Sequence, residues 1–290
     1  MNTSYPKISI VTPSYNQGNY LEQTIQSVLS QGYPNLEYII IDGGSTDNSV
    51  EIIKRYASQL HYWVSESDKG MYHAIQKGFQ QSSGEIMAWL NSDDLYHKQS
   101  LWSIARLFKH FKEVDWIMGK NTFFDEQSAA MVYPDDFWEE CWSPWSFYLL
   151  PKGRFIQQES TFWRRSLWNK AGAHINTAYQ LAGDFELWAR FFRHTQLYST
   201  NMLLGGFRER TSNQKSKDHF EEYMEEAREV IWRELQNPDI ARTLARKKRK
   251  LTAIRLVPFR RRKHKLRKRV LELPPKIEYE PNDKYILRQI

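Results

Sequence analysis

Four stretches of this chain join a run of β-branched or aromatic residues to an oxygen-rich end: ISIVT runs into PSYN (13–16), EYIIID into GGSTD (43–47), HYWVS into ESDKG (66–70), and EIMAWL into NSDD (91–94). In an open α/β sheet, ligands bind beyond the carboxyl ends of the strands, so these ends are where chemistry belongs. Three of the four carry carboxylates. A single Asp after a strand is usually a turn former or helix cap, because its side chain bonds nearby backbone N–H groups, and Asp47 is read that way. Asp42, Asp68, Asp93 and Asp94 on one edge would repel one another, which architecture alone does not require. Neither GxGxxG nor GxxxxGK[ST] follows the first run, so a phosphate cradle of backbone amides is disfavoured. Carboxylates bind a diphosphate when Mg2+ or Mn2+ sits between them, and those not on metal can accept hydrogen bonds from a nucleobase or ribose. Asp42 and Asp68 suit the second role.

The elements that must position these groups alternate between strand and helix, the pattern of a mostly parallel sheet covered by helices. The strand at residues 8–12 is β-branched enough for burial on both faces. Leu21, Ile25, Val28 and Leu29 then mark one face of a helix that ends near Gly32 and Pro34. Residues 37–42 form a second strand, and Val50, Ile53 and Tyr56 a second helix that Asp47 can cap. Residues 72–79 predict a short helix and 85–90 a fourth strand. Beyond Asp94 come a helix through Leu101, Ile104, Leu107 and Phe108, the strand VDWIMG, and the aromatic stretch FWEECWSPWSFYLL. A strand at TFW, a helix over 184–192 and a longer amphipathic helix over 220–235 follow. The last fifty residues read as an appended basic extension.

Length and composition set limits. The 290 residues fit one large domain with an appendage, and no run approaches the ~20 apolar residues of a spanning helix. No secretory signal is readable at the N-terminus. The lone Cys141 excludes an internal disulfide and cysteine-ligated metal, which favours a reducing, cytoplasmic setting. Net charge is +7, yet residues 241–269 hold 15 Lys/Arg and no Asp or Glu, leaving 26 basic against 34 acidic residues elsewhere. An acidic body carries a basic segment.

The ordered motifs ISIVTPSYN, IIIDGGSTD, ESDKGMYHAIQKG, LNSDD and GDFELWAR, with QESTFWRR and GGFRERTSNQKS after them, resemble the family 2 inverting glycosyltransferases, whose nucleotide-sugar-binding fold is called GT-A. The resemblance spans roughly residues 6–216. It implies a GT-A domain over 1–216 (donor half about 6–120, acceptor half about 121–216); the residues beyond it read as an amphipathic helix over 217–240 and the basic extension over 241–290. It implies that Thr12, Pro13, Tyr15 and Asn16 line the nucleotide pocket, that Asp42 contacts the base, and that Asp68 and Lys69 lie near base or ribose. LNSDD stands where the family has its DxD metal motif. Asn91 replaces the first acidic position and can hydrogen-bond ribose, which leaves Asp93 as ligand of Mg2+ or Mn2+. Asp94 either contributes to the site or caps the following helix. Asp184 matches the general base, which takes the acceptor hydroxyl's proton as that oxygen attacks the anomeric carbon from the face opposite the leaving nucleotide.

Other signals are less specific. Glu186 and Arg190, four apart, read as a surface pair. Glu159 reads equally as an acceptor-site group or a satisfied buried carboxylate. Trp138, Trp142 and Trp145 could stack on sugars or simply pack. Residues 241–269 suit an anionic membrane surface first, a solvated tail second and nucleic acid last. The reading is a metal-dependent, inverting glycosyltransferase of polysaccharide biosynthesis, cytoplasmic or peripheral on the inner membrane face, using a nucleotide-sugar donor and a glycan or lipid-linked acceptor. The competing classes are a nucleotidyl or phosphoryl transferase on the same acidic edge, and a nucleic-acid-binding protein.

Overall fold

The computed structural model describes residues 5–131, 141–149, 155–211, 218–280 and 284–288. Trp138 and the end of the GGFRERTSNQKS stretch lie outside them. The first half runs β1 (Ile8–Ser14), α1 (Leu21–Leu29), β2 (Leu36–Asp42), α2 (Ser49–Tyr56), β3 (Tyr62–Ser65), α3 (Met71–Gln80) and β4 (Ile86–Trp89). Every residue of β1 is buried, as its β-branched composition requires. Leu21, Thr24, Ile25 and Val28 form the buried face of α1. Helix α3 lies so close to the sheet that a Cβ on Gly78 would stand 2.4 Å from a Val11 methyl; only glycine fits there.

The second half contains β5 (Leu95–Tyr96), α4 (Ser100–His110), β6 (Trp116–Met118), β7 (Phe123–Phe124), β8 (Ala130–Met131), α5 (Pro144–Tyr148), β9 (Thr161–Arg164), α6 (Arg165–Lys170), α7 (Gly183–Phe192), β10 (Tyr198–Thr200) and β11 (Gly205–Arg208). Helices α8 (Phe220–Glu234), α9 (Pro238–Ile254) and α10 (Arg260–Leu271) precede β12 (Lys276–Glu280) and β13 (Lys284–Arg288). The main sheet has the order β13-β12-β10-β6-β9-β4-β1-β2-β3, and a small one the order β5-β11-β7-β8. Strands β3, β2, β1 and β4 pair in parallel, whereas β9 runs antiparallel to both β4 and β6. The sheet is mostly parallel, as expected, with β9 reversed at its centre and β13 reversed at its edge.

The core of the second half is aromatic. Trp89 on β4 stacks on Trp188 of α7 with ring centres 5.7 Å apart and an interplanar angle of 8°, and Trp116 of β6 lies 5.2 Å from Trp188. Trp163 of β9 meets both Trp89 and Trp188 edge-on at 5.6 Å. Helix α7 is thereby seated on the β4-β9-β6 part of the sheet.

Two expectations are corrected. The last fifty residues are not uniformly appended: β12 pairs in parallel with β10 (Ser199 opposite Lys276), its Ile277 is fully buried, and β13 closes the sheet edge. The alternation in KIEYE carries that information but is short and heavily charged. Glu186 and Arg190 do pair, at 2.9 Å, but not at the surface. Arg190 is 7% exposed and also donates to the carbonyls of Ala171 and His174, clamping the loop before α7.

Ile277→Ala should lower unfolding stability by about 2–4 kcal/mol in urea titration if this strand is part of the core; a change within about 0.5 kcal/mol would mean that the strand packs on nothing.

Candidate active site

The parallel order β4-β1-β2-β3 sets four strand ends side by side. Ser14 is opposite Asp42, and Asp42 is opposite Ser65. Asp42 is fully buried and saturated with donors. Its Oδ2 accepts from the N–H groups of Gly44 (3.1 Å) and Ser45 (2.9 Å) and the Ser65 hydroxyl (2.7 Å), and its Oδ1 accepts from the Ser45 hydroxyl at 2.5 Å. This carboxylate shapes the loop after β2. Asn16 holds the same loop from the other side, in the left-handed region at φ +50° that Asn tolerates. Its N–H donates to Ser45 Oγ and its Oδ1 accepts from the Thr46 N–H, both at 2.8 Å. Thr12 is fully buried, its hydroxyl 3.2 Å from that of Tyr38, and Pro13 is buried too, so both lie beneath the edge; Tyr15 is exposed above it. Asp68 accepts from the Gly70 N–H at 2.7 Å, and its other oxygen covers Gly43, whose absent Cβ would stand 3.0 Å away. Lys69 is exposed.

The Asn91–Asp94 turn is pinned from below by Thr24 of α1, whose hydroxyl lies 3.0 Å from the Ser92 carbonyl and 2.9 Å from that of Asp94. From above it is held by two arginines at the end of the small sheet. Arg208, fully buried, donates through Nε to the Asp93 carbonyl at 2.6 Å, and its backbone N–H donates to Asp94 Oδ1 at 2.9 Å. Arg210 pairs with Asp93 Oδ2 at 3.1 Å. Both guanidiniums lie over the Tyr20 ring, at 5.1 and 5.2 Å. Asp94 is buried, accepts from the Asn91 amide at 3.2 Å and caps no helix. Burial pushes its carboxyl well up, reinforced by Asp93 and Glu159. Burial also raises Asp93, against the pull of Arg210. Glu159 is 4% exposed, has Oε1 without a partner, and is raised to about 8 by burial with a further push from Asp184 and Asp93. Its loop lies directly against the small sheet, where a Cβ on Gly205 would stand 1.9 Å from the Glu159 carbonyl oxygen.

Asp184 is the second residue of α7. Its Oδ1 accepts from the Phe185 N–H at 2.8 Å and from the Tyr72 hydroxyl at 3.3 Å. Tyr72 also donates to the Leu181 carbonyl at 2.6 Å, and its ring fills the space that a Cβ on Gly183 would need. Glu226 of α8 supports the helix entrance, accepting from the N–H groups of Gln180 (3.0 Å), Leu181 (2.9 Å) and Ala182 (2.7 Å). A helix N-terminus favours an ionised carboxylate. Burial nevertheless dominates and lifts Asp184 to about 6, with Glu226 adding to the rise.

Asp42, Asp68, Asn91, Asp93 and Asp94 therefore share one edge, and Tyr72, which opens α3 just after the Asp68 loop, links that edge to Asp184. Sequence reading missed Tyr72, Glu226, Arg208 and Arg210 as positioning groups. The two arginines fell within a motif that was noticed, whereas nothing marks Glu226 among the other acidic residues of α8. Among the described residues no three His, Cys, Asp or Glu side chains converge as a metal cage. A diphosphate-bound Mg2+ or Mn2+ needs only one or two carboxylates, and Asp93, beside the unpartnered Asn91 Oδ1, fits that requirement.

The raised Asp184 pKa fixes a sign. The folded value of about 6 exceeds the ordinary 3.8, so its contribution to stability is present below the ordinary value and lost as pH rises through about 6. Asp184→Asn should accordingly gain roughly 1–3 kcal/mol on the unaltered protein between about pH 4 and neutrality. Parallel stability–pH curves from chemical unfolding would contradict the burial of this charge.

The chain is similar to known proteins in sequence and in fold. Residues 9–175, more than half of the chain, match Glycosyl transferase family 2. A glycosyltransferase of Rickettsia typhi is 26% identical over 206 residues, covering 70% of this chain and 64% of the relative. A putative teichuronic acid biosynthesis glycosyltransferase of Bacillus subtilis is 37% identical over 133 residues, 45% of this chain and 49% of that one. The chain spans between 37% and 64% of the length of the first four curated relatives, all from Rickettsia. Among solved structures, Staphylococcus aureus TarS in complex with UDP-GlcNAc superposes with a TM-score of 0.60 at 17% identity, over 72% of this chain and 60% of that one. The Pyrobaculum calidifontis mannosyltransferase in complex with GDP-Man and Mn2+ superposes with a TM-score of 0.54 at 19% identity, over 70% and 57%. These likenesses show the GT-A fold, and the family match over residues 9–175, which include Asp42, Asp68 and Asp93, settles that this chain belongs to glycosyl transferase family 2.

Proposed function

We propose that this protein transfers a sugar, with inversion, from a nucleotide-diphosphate donor to a hydroxyl of a glycan or lipid-linked acceptor in polysaccharide biosynthesis. The observation that carries this reading is Asp184: a half-buried carboxylate with a pKa raised to about 6, held by Tyr72 and seated through α7 on the strand whose end bears Asp93. Such a group is a stronger base than an exposed Asp yet is ionised near neutral pH. Asp184 takes the acceptor proton, the acceptor oxygen forms the new bond to the anomeric carbon, and the bond from that carbon to the diphosphate breaks on the opposite face. The nucleoside diphosphate leaves with the bonding electrons. Mg2+ or Mn2+ held by Asp93 would offset the charge of that leaving group.

The loops after β1, β2 and β3 form the donor side. Asp42 and Asn16 set the backbone there, and Asp68, Lys69, Tyr15 and Asn91 are the side chains left to meet base and ribose. Asp94 acts through Arg208 and Asn91 rather than on the donor. We assign residues 1–216 to the transferase domain, with 217–240 as its supporting helix and the final hairpin completing its sheet. No helix of the described residues is long and apolar enough to cross a membrane, which accords with work at the inner membrane face as a peripheral enzyme.

A panel of nucleotide sugars with Mg2+ or Mn2+ tests the reading: turnover should release nucleoside diphosphate, and pyrophosphate release would instead indicate nucleotidyl transfer. Asp184→Asn should lower kcat by about 10²–10⁴-fold while leaving nucleotide affinity nearly unchanged. The kcat/KM of the unaltered enzyme should fall below about pH 6 as Asp184 protonates; a flat acid limb would remove it as base. Asp93→Ala should abolish the cation dependence of donor binding, and equal donor affinity of the unaltered enzyme with and without cation would contradict its assignment.

A further inference from the structure

Helices α9 and α10 form a hairpin that is fastened at one end and bare at the other. At the fastened end Lys247, 5% exposed, donates to the Val270 carbonyl at 2.6 Å, pairs with Glu272 at 2.7 Å and lies 5.1 Å from the Trp145 ring centre. Trp145 donates to Glu272 at 2.7 Å, and the Ser143 hydroxyl donates to the Leu271 carbonyl. The hairpin base is thus locked to α5. At the other end the chain turns between the helices and presents Leu256 and Phe259, 87% and 66% exposed, the two most exposed large apolar side chains among the described residues.

Between the helices lies a cleft of about 1150 Å³ lined by Lys248, Arg255, Arg260, Arg261, Lys263 and Arg267, with Leu251 and Ile254 as its apolar floor. No acidic side chain pairs with any of these six cations among the described residues. Cations gathered this closely repel one another unless an anion enters between them. A polynucleotide would use the cations but leave the apolar apex idle. An anionic bilayer uses both, since cations engage lipid phosphates while apolar side chains enter the headgroup–acyl boundary.

We propose that the α9–α10 hairpin docks this protein on an anionic phospholipid surface, with Leu256 and Phe259 inserted and lipid phosphates seated in the basic cleft. The proposal deepens the membrane-side placement given above and is independent of the transfer chemistry. It is tested with the full chain by co-sedimentation with vesicles of phosphatidylcholine alone and of phosphatidylcholine mixed with phosphatidylglycerol. Binding is expected on the mixed vesicles, with little on the neutral ones and a decline as salt rises. Leu256→Ser with Phe259→Ser should weaken it roughly tenfold or more, and Arg260→Gln with Arg261→Gln and Lys263→Gln by a similar factor. These side chains are at the surface, so unchanged melting temperatures should accompany both losses. Asp184→Asn should bind vesicles like the unaltered protein while failing in transfer, which separates failure of docking from failure of the enzymatic reading. Vesicle binding indifferent to Leu256 and Phe259, equal binding to neutral vesicles, or tighter binding to duplex RNA than to mixed vesicles would each overturn the proposal.

Discussion

The proposed transfer requires Asp184, as the carboxylate that would receive a proton, and Asp93, as the one that would face the leaving group, to keep a fixed separation, although they arise almost a hundred residues apart. Here the spacing is held by indole packing. Trp89 precedes Asp93 by four residues and Trp188 follows Asp184 by four, and the two rings stack at 5.7 Å and 8°. Trp163 and Trp116 brace the stack from the neighbouring strands. Aromatic pairs add about 0.5–1.5 kcal/mol each beyond simple burial. The cluster must also outweigh a cost, because the indole N–H groups of Trp116, Trp163 and Trp188 are buried without acceptors. A core of interchangeable aliphatics would avoid that cost but would let α7 slide.

The buried carboxylates separate by how they are supplied with donors. Glu37, at the opposite end of the sheet, accepts from Ser9, the hydroxyl and N–H of Ser83, the Gly84 N–H and Lys7. Burial acts to raise it, yet these donors prevail and hold it at about 2. Asp42 is equally well supplied, and it ties the loop after β2 to the end of β3. Glu159 and Asp184 have few donors, and burial dominates in both. That difference, rather than burial itself, separates the lowered Glu37 from the raised Glu159 and Asp184. Asp93, Asp94, Glu159 and Asp184 are all raised by burial, with Arg210 pulling Asp93 the other way.

Much of this was legible in the sequence. Strands buried on both faces must be continuously apolar, so 8–12 and 37–42 announce themselves, and polar ends on four such strands mark the edge of a parallel sheet. Asp93 and Asp184 stand out through ordered motifs. What could not be read depends on distant partners. The i,i+4 spacing of Glu186 and Arg190 signals a pair but not the carbonyls of Ala171 and His174 that bury it. Asp42 carries the same letters whether it meets a ligand or four local donors. Tyr72 matters because Gly183, over a hundred residues later, leaves room for its ring. The reversed direction of β9 has no local signature, since antiparallel and parallel central strands are equally apolar when both faces are covered.

The basic segment shows how topology can decide the use of a charge pattern. A chain with 15 Lys/Arg in residues 241–269 and an excess of acid elsewhere would, if free, tend to fold back on its own acidic surface. Three features prevent this. Lys247 and Glu272 neutralise each other at the hairpin base against Trp145. Leu271 is buried where α10 ends, and β12 then returns the chain to the sheet beside β10. The excursion from α8 through α9 and α10 is therefore anchored on both sides. At the far end of that excursion, among the described residues, six cations of the cleft have no acidic partner and Leu256 and Phe259 stand exposed.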